Sequence, residues 1–338
     1  MKTRVAMVGF GYWGPNIARN LENSEDTELA YICELDKDKR GRAEKLFPSS
    51  KAISDYDRVL DDKSVEGIVI VTNSKSHFPL AKKALERGKH VMLEKPITET
   101  SGQALELVKI AERKNLILMV GHTFLYNGGV RKLKEIIDSG NIGKWLYAYA
   151  IRVSLGPYRS DANVVWDLAP HDISVLLYLK GKKVMSVSVR ANCSLKEGIP
   201  DVAFMVLKFE DDTIAHIHAS WLDPLKVRKL TIIGSEKMVI FDDIEPLEKV
   251  KIFEKSATIS YAPETFSEFQ AAYNYGDILI PKIDVTEPLK MECQHFVDCI
   301  RSGSKPVSDG MNGLEVVRVL EAAQKSLESG GRDIEVSE

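Results

Sequence analysis

Val5-Ala6-Met7-Val8-Gly9-Phe10-Gly11-Tyr12-Trp13-Gly14-Pro15-Asn16 decides how the first third of this chain is read. Four apolar residues too short for a buried helix run into G-x-G-x-x-G, and Ile17, Ala18 and Leu21 continue with helical spacing. In that context the glycines permit a tight turn and close backbone approach to a pyrophosphate, held at the positive end of the following helix. Glu34 ends the second apolar run, at the distance beyond the glycines where dinucleotide folds carry a ribose-binding acid. A carboxylate there accepts hydrogen bonds from both hydroxyls of an adenosine ribose, whereas a 2′-phosphate would meet like charge. The stretch therefore predicts a dinucleotide site that favours NAD over NADP, with Lys37, Lys39 and Arg40 as the cations that would oppose that preference.

Outward from the fingerprint, short apolar runs rich in β-branched residues recur at 29–33, 67–71, 91–93 and 116–120. Helical patterns separate them: Ala104, Leu107, Val108 and Ala111 share one face, and another helix runs from about His77 to Gly88. Strands alternating with helices over short connections predict a doubly wound parallel Rossmann sheet over residues 1–121. After Gly121 a helix at 130–138 gives way to longer, alternating strand patterns at 184–189, 202–209, 214–221 and 230–233. Residues 122–338 are thus expected to form an α+β domain around a large open, mostly antiparallel sheet. Residues 246–288, where Tyr261, Tyr273 and Tyr275 stand among polar residues, read as a long loop region, and helices return at about 289–301 and 313–329.

A length of 338 residues suits about two domains. At 44% hydrophobic and 28% charged residues the chain has enough apolar side chains to bury a core. Forty-six basic against 49 acidic residues leave a net charge of −3, which gives no electrostatic case for nucleic acid. The four cysteines fit neither a disulfide framework nor a zinc site, no apolar run approaches a membrane span, and the N-terminus does not read as a signal peptide, so a reduced cytoplasm is expected. His216 and His218 form an H-x-H with no third ligand, and are read as lining a sheet face or a subunit contact rather than as a metal site.

Two further motifs carry chemistry. Glu94-Lys95-Pro96 follows the strand at 91–93, where a lysine faces the ligand-binding edge of a doubly wound sheet. Trp166-Asp167-Leu168-Ala169-Pro170-His171-Asp172 places Asp167 and His171 four apart, on one face of a helix that halts near Gly181. A plainer reading makes Asp167 only the N-cap of that helix. Together, the fingerprint, the E-K-P and the D-x-x-x-H resemble the glucose-fructose oxidoreductase and inositol dehydrogenase family (Gfo/Idh/MocA), and the likeness covers nearly the whole chain, including the 71–72 strand end followed by His77.

The resemblance implies reversible oxidation of a secondary alcohol on a sugar or cyclitol, NAD as hydride carrier, no metal, and a homodimer or homotetramer assembled through the C-terminal sheet. Lys95, Asp167 and His171 match the family's catalytic residues: His171 as general base, Asp167 orienting its ring, Lys95 holding the substrate oxygen. The cofactor set implied is Gly9, Phe10, Gly11, Tyr12, Trp13, Gly14, Glu34, Thr72, Asn73, His77, Glu94 and Lys95; Trp13 reads equally well as packing, and the Lys95–Pro96 bond is a candidate for the cis form. Asn73-Ser74 and Gly128 depart from the Pro-Asn and the proline common in relatives. Arg152 and Arg159, in the segment leading to the D-x-x-x-H helix, suit an anionic substrate. The stretch from Gly9 to Asn16, with Trp166 before Asp167, looks similar to members that oxidise nucleotide-linked sugars for surface polysaccharide, for example UDP-N-acetylglucosamine at C3. An inositol or free-aldose dehydrogenase is the alternative. A regulator that senses NAD without chemistry is a third reading, set against by the presence of both Lys95 and His171.

Overall fold

The computed structural model describes residues 2–156, 158–159, 162–254, 256–260, 270–274 and 276–337. The chain divides into two compact units, Met1–Tyr126 with Thr286–Arg318 and Asn127–Val285 with Val319–Glu338.

In the first unit, β1 (Thr3–Val8), β2 (Thr27–Cys33), β3 (Lys51–Ile53), β4 (Gly67–Ile70), β5 (His90–Glu94) and β6 (Leu118–Gly121) form a parallel sheet in the order β3-β2-β1-β4-β5-β6. Its interleaved helices are α1 (Gly14–Glu22), α2 (Lys37–Leu46), α3 (Tyr56–Asp61), α4 (Ser74–Glu86) and α5 (Ser101–Lys114). β4 is buried along its whole length, and β1 buries Val5 to Val8, as sheet strands covered on both faces require. The strand order reverses between β1 and β4, and their carboxyl ends carry the Gly9 turn and Thr72, so the fingerprint sits at the topological switch point. Gly9 has a φ of +94°, and a Cβ there would lie 2.6 Å from the Val71 carbonyl oxygen. No other residue fits both constraints.

In the second unit, α6 (Gly128–Asp138), β7 (Trp145–Val153) and α7 (Val164–Lys180) precede the run β8 (Val184–Asn192), β9 (Val202–Phe209), β10 (Ile214–Ser220), β11 (Val227–Gly234), β12 (Met238–Asp242) and β13 (Val250–Phe253). β14 (Ser256–Ser260) pairs with β15 (Gln270–Asn274), and β16 (Ile278–Leu279) adds to β13. With β17 (Ile334–Glu335) at its far edge, the open sheet has nine strands in the order β16-β13-β12-β11-β7-β10-β9-β8-β17, and every pairing but β7–β10 is antiparallel. β9 alternates between buried Ala203, Met205, Leu207, Phe209 and exposed Phe204, Val206, the pattern of a sheet with one covered face.

Two expectations are revised. The region read as a loop at 246–288 contains four strands, each too short for its alternation to stand out from the polar residues around it; Tyr261 and Tyr275 lie outside the described residues. The boundary after Gly121 falls instead after Tyr126, and α8 (Pro288–Ser302) with the start of α9 (Gly310–Glu328) belongs to the first unit. Phe296 and Ile300 of α8 pack over Gly67 of β4, where a Cβ would lie 2.9 Å from Ile300 and 3.1 Å from Phe296. That glycine makes room for a helix encoded near the far end of the chain.

Candidate active site

The fingerprint folds into a tight turn whose polar groups point at one another in a defined way. Phe10 packs its ring edge-on against Phe47, at 5.9 Å between centroids, so only its backbone serves the turn. Its N–H donates to Glu34 Oε2 at 2.6 Å, while Glu34 Oε1 accepts from the Asp36 N–H at 2.9 Å. The carboxylate is thereby held against the glycine turn, where a ribose would be read. Arg40, one of the cations that could favour a 2′-phosphate, turns its guanidinium onto the Glu34 and Leu35 carbonyls at 2.9 and 3.1 Å. A Cβ at Gly11 would meet no described atom within 4 Å, and among the described residues α1 begins at Gly14 without a side-chain cap. Tyr12 is 95% exposed. These features fit a dinucleotide: open backbone at the pyrophosphate position, and a fixed acid at the end of the second strand.

Thr72 and Asn73 close the neighbouring turn. Asn73, where relatives carry a different pair, is the N-cap of α4, its side chain accepting from the Ser76 N–H at 3.2 Å. Ser76 also bonds Thr72 Oγ1 at 2.9 Å. His77 is buried, with Nδ1 2.8 Å from the Pro96 carbonyl and Nε2 3.2 Å from the Thr72 carbonyl. Burial lowers its pKa below the usual imidazole value, and a neutral ring has one N–H, which the shorter contact assigns to Nδ1. His77 therefore ties the Lys95–Pro96 loop, whose peptide bond is cis, to α4 through the Pro96 carbonyl.

Glu94 ends β5 opposite Gly121 in the β5–β6 register. Its carboxyl lies over Gly121, 3.3 Å from where a Cβ would stand. Burial raises its pKa to about 7, against the Lys95 charge, the Lys95 N–H at 3.3 Å and the Trp13 indole, all of which favour the anion. Trp13 thus links the glycine turn to the E-K-P, an assignment its exposure alone would not suggest.

In the second unit, Asn163 caps α7 by accepting from the Val165 and Trp166 N–H groups at 3.0 and 3.1 Å. Asp167 therefore does not serve as the cap and stands in the first turn, one turn before His171. Its Oδ2 accepts from the Trp221 indole at 3.0 Å, and its Oδ1 from Arg159 at 3.2 Å. Trp221, 54 residues away on the continuation of β10, carries no local signal of this role. Arg159 is half-exposed; Pro157, Ser160 and Asp161 of the same segment lie outside the described residues.

Arg152 requires a correction. It is 6% exposed, and its Nε and NH2 donate to Asp172 at 2.7 and 2.9 Å. The expected role in holding a substrate phosphate is displaced by a bidentate structural pair, because Asp172, one residue past His171, points into the layer beneath the sheet and needs a cation there. Gly128 is explained in turn: a Cβ would lie 1.9 Å from the Asp284 carbonyl oxygen, so no proline or alanine fits. His216 and His218 stack on Phe204 at 6.0 and 4.4 Å, and among the described residues no three metal-type ligands gather.

Residues 3–122 match the oxidoreductase family model with an NAD-binding Rossmann fold, and residues 130–240 match the GFO/IDH/MocA C-terminal domain. The chain belongs to the Gfo/Idh/MocA family. It is an NAD-dependent oxidoreductase. Among Gfo/Idh/MocA relatives it is 26% identical to scyllo-inositol 2-dehydrogenase (NAD(+)) of Bacillus subtilis, over 97% of this chain and 95% of that protein. It is 23% identical to myo-inositol 2-dehydrogenase of Thermotoga maritima over 96% of each chain. UDP-N-acetylglucosamine 3-dehydrogenase of Acidithiobacillus ferrooxidans shares the fold with a TM-score of 0.79 at 20% identity, covering 98% of this chain and 99% of that one.

Proposed function

We propose that this family member oxidises a secondary ring alcohol of a sugar, and reduces the ketone in the reverse direction, with Lys95, Asp167 and His171 as its catalytic residues. The observation that carries the reading is the anchored Asp167: its carboxylate, held by Trp221 and Arg159, lies one turn before His171 on a helix already capped by Asn163. NAD, when bound, accepts the hydride. His171 takes the alcohol proton as the general base. Asp167 stabilises the resulting imidazolium, and the Lys95 ammonium holds the substrate oxygen as charge develops. Gly9, Gly11 and Gly14 admit the pyrophosphate, Glu34 selects the ribose, and Thr72, Asn73 and Glu94 shape the nicotinamide side, with His77 acting through the Pro96 carbonyl it holds. His171→Ala is expected to lower kcat by roughly 10²- to 10⁴-fold with NAD affinity unchanged; wild-type turnover would remove it from the mechanism.

For substrate, Arg159 remains the cation suited to a diphosphate-linked sugar such as UDP-N-acetylglucosamine, oxidised at C3 on the way to a surface polysaccharide. A second reading, an inositol dehydrogenase, is favoured by full-length likeness to two inositol dehydrogenases. Comparing NADH production from UDP-sugars and from inositols separates them: preference for a free cyclitol refutes the nucleotide-sugar reading. We further propose a cytoplasmic homodimer or homotetramer, joined through the sheet face on which Tyr147, Phe204, Val206 and Ile214 are exposed; sedimentation as a monomer would oppose it. No helix among the described residues is long and apolar enough to cross a membrane.

A further inference from the structure

Beside Lys95 and Glu94, the first unit buries polar groups, Glu292 and His122, for which the reaction above has no use. Glu292 of α8 is 0% exposed. Its Oε2 accepts from Thr123 Oγ1 at 2.8 Å, and its Oε1 is buried with no hydrogen-bond partner among the described residues. Thr123 follows His122, and His122 follows Gly121, the residue over which the Glu94 carboxyl lies. Both ring nitrogens of the buried His122, and Oε1 of Glu94, are likewise without hydrogen-bond partners among the described residues. Three consecutive residues thus bring together two carboxyls and an imidazole whose hydrogen-bonding capacity is largely unspent, beside Lys95.

We propose that Glu292 is a positioning residue for Lys95, acting through Glu94: Glu292 carries a proton, Glu94 carries the negative charge that faces the ammonium, and with His122 they form one buried polar network. Two carboxylates sharing an apolar site cannot both ionise, so one proton is retained between them. Its location follows from the neighbours. Glu94 has the Lys95 charge, the Lys95 N–H and the Trp13 indole to stabilise an anion. Glu292 has one hydroxyl donor, and the titratable groups acting on it or beside it are Glu94, Tyr126 and Cys293, none of them cationic. Burial, reinforced by Glu94, raises the Glu292 pKa well above the carboxyl range. Burial and the Lys95 charge hold His122 down to about 3, so its ring is neutral and offers one donor and one acceptor to the network.

The buried proton stands on this cluster alone; that it serves Lys95 rests on the reading of Lys95 under Proposed function. Infrared difference spectra of the intact protein in D₂O at about pH 9, roughly two units above the value at which Glu94 itself takes up a proton, test the Glu292 proton directly. Wild type is expected to show the C=O band of a protonated carboxyl, Glu292→Gln to lose it, and Glu94→Gln to keep it. A wild type without the band, or a Glu292→Gln variant that retains it, overturns the proposal, and ¹³C-glutamate labelling of wild type reads the same proton if a variant fails to fold. The link to Lys95 is read from kinetics. Glu292→Gln keeps a donor and should hold kcat and its pH profile within about twofold of wild type. Glu292→Leu should move the acid limb of kcat upward by about one pH unit, a tenfold loss at its foot. An unshifted Glu292→Leu profile refutes the positioning role. Inactivity of wild type on every alcohol would instead refute the Lys95 reading, with the infrared result untouched.

Discussion

Replacing Arg152 with methionine removes one partner of a buried pair and separates a structural arginine from a substrate-binding one. Arg152 and Asp172 are both nearly inaccessible and joined by two charge-assisted hydrogen bonds of 2.7 and 2.9 Å. Methionine fills much of the stem volume but leaves the Asp172 carboxylate in the layer between α7 and the sheet, a change that costs about 3–5 kcal/mol in comparable settings. The surroundings set where in that range the loss falls. Arg228 is the direct cross-strand neighbour of Arg152 in the β7–β11 register, and it shares the field of Asp172 while bonding Asp243 at 3.5 Å. Losing Arg152 relieves a like-charge repulsion at Arg228 and lets it serve Asp172 in part, which points to the lower end, about 3 kcal/mol. For a unit of this size that corresponds to a midpoint lowered by roughly 6–12 °C. Thermal unfolding by circular dichroism measures the shift, and KM per folded enzyme should not change. Arg159→Met, by contrast, should leave the midpoint within about 2 °C, since its pair with Asp167 is half-exposed, and should raise KM for a nucleotide sugar by roughly tenfold. A wild-type midpoint with a raised KM in Arg152→Met would refute this account and return Arg152 to the substrate.

Glu34→Ala should narrow the preference for NAD over NADP, read by calorimetric titration of both cofactors; equal affinities in wild type would contradict the role given to Glu34. Gly128→Ala should destabilise by at least about 2 kcal/mol, because the new methyl meets the Asp284 carbonyl at 1.9 Å and the backbone of two segments must part; unchanged denaturant midpoints would oppose it. His122, near 6.5 when unfolded and about 3 when folded, binds fewer protons in the native state across that window. Stability from this group is therefore fully present above about pH 6.5 and is lost as the pH falls toward 3, by up to roughly 4–5 kcal/mol. His122→Phe should flatten the acid side of the stability curve measured in urea, and an unaltered slope would count against a neutral buried ring.

The parallel sheet and its fingerprint were legible in the linear order because their signals are local. A strand of apolar residues, a turn that needs glycine and a helix with a stripe follow one another without interruption from Val5 to Leu21. The helix carrying Asp167 and His171 was legible for the same reason, its spacing being a property of the helix alone. Glu292 left a trace that is easy to pass over: a carboxylate in register with Leu289, Cys293 and Phe296, on the buried stripe of α8. Nothing local, however, distinguishes Arg152 from Arg159, or announces that Trp221 holds Asp167 or that α8 closes over Gly67. Those outcomes depend on groups distant in the chain meeting in space: Arg152 with Asp172, Trp221 with Asp167, and Phe296 with Gly67. An arginine has the same chemistry in either place. Whether it faces solvent or a buried aspartate is settled by the packing of α7 beneath the sheet, because only there does the cost of leaving a charge unpaired become large enough to dictate its partner.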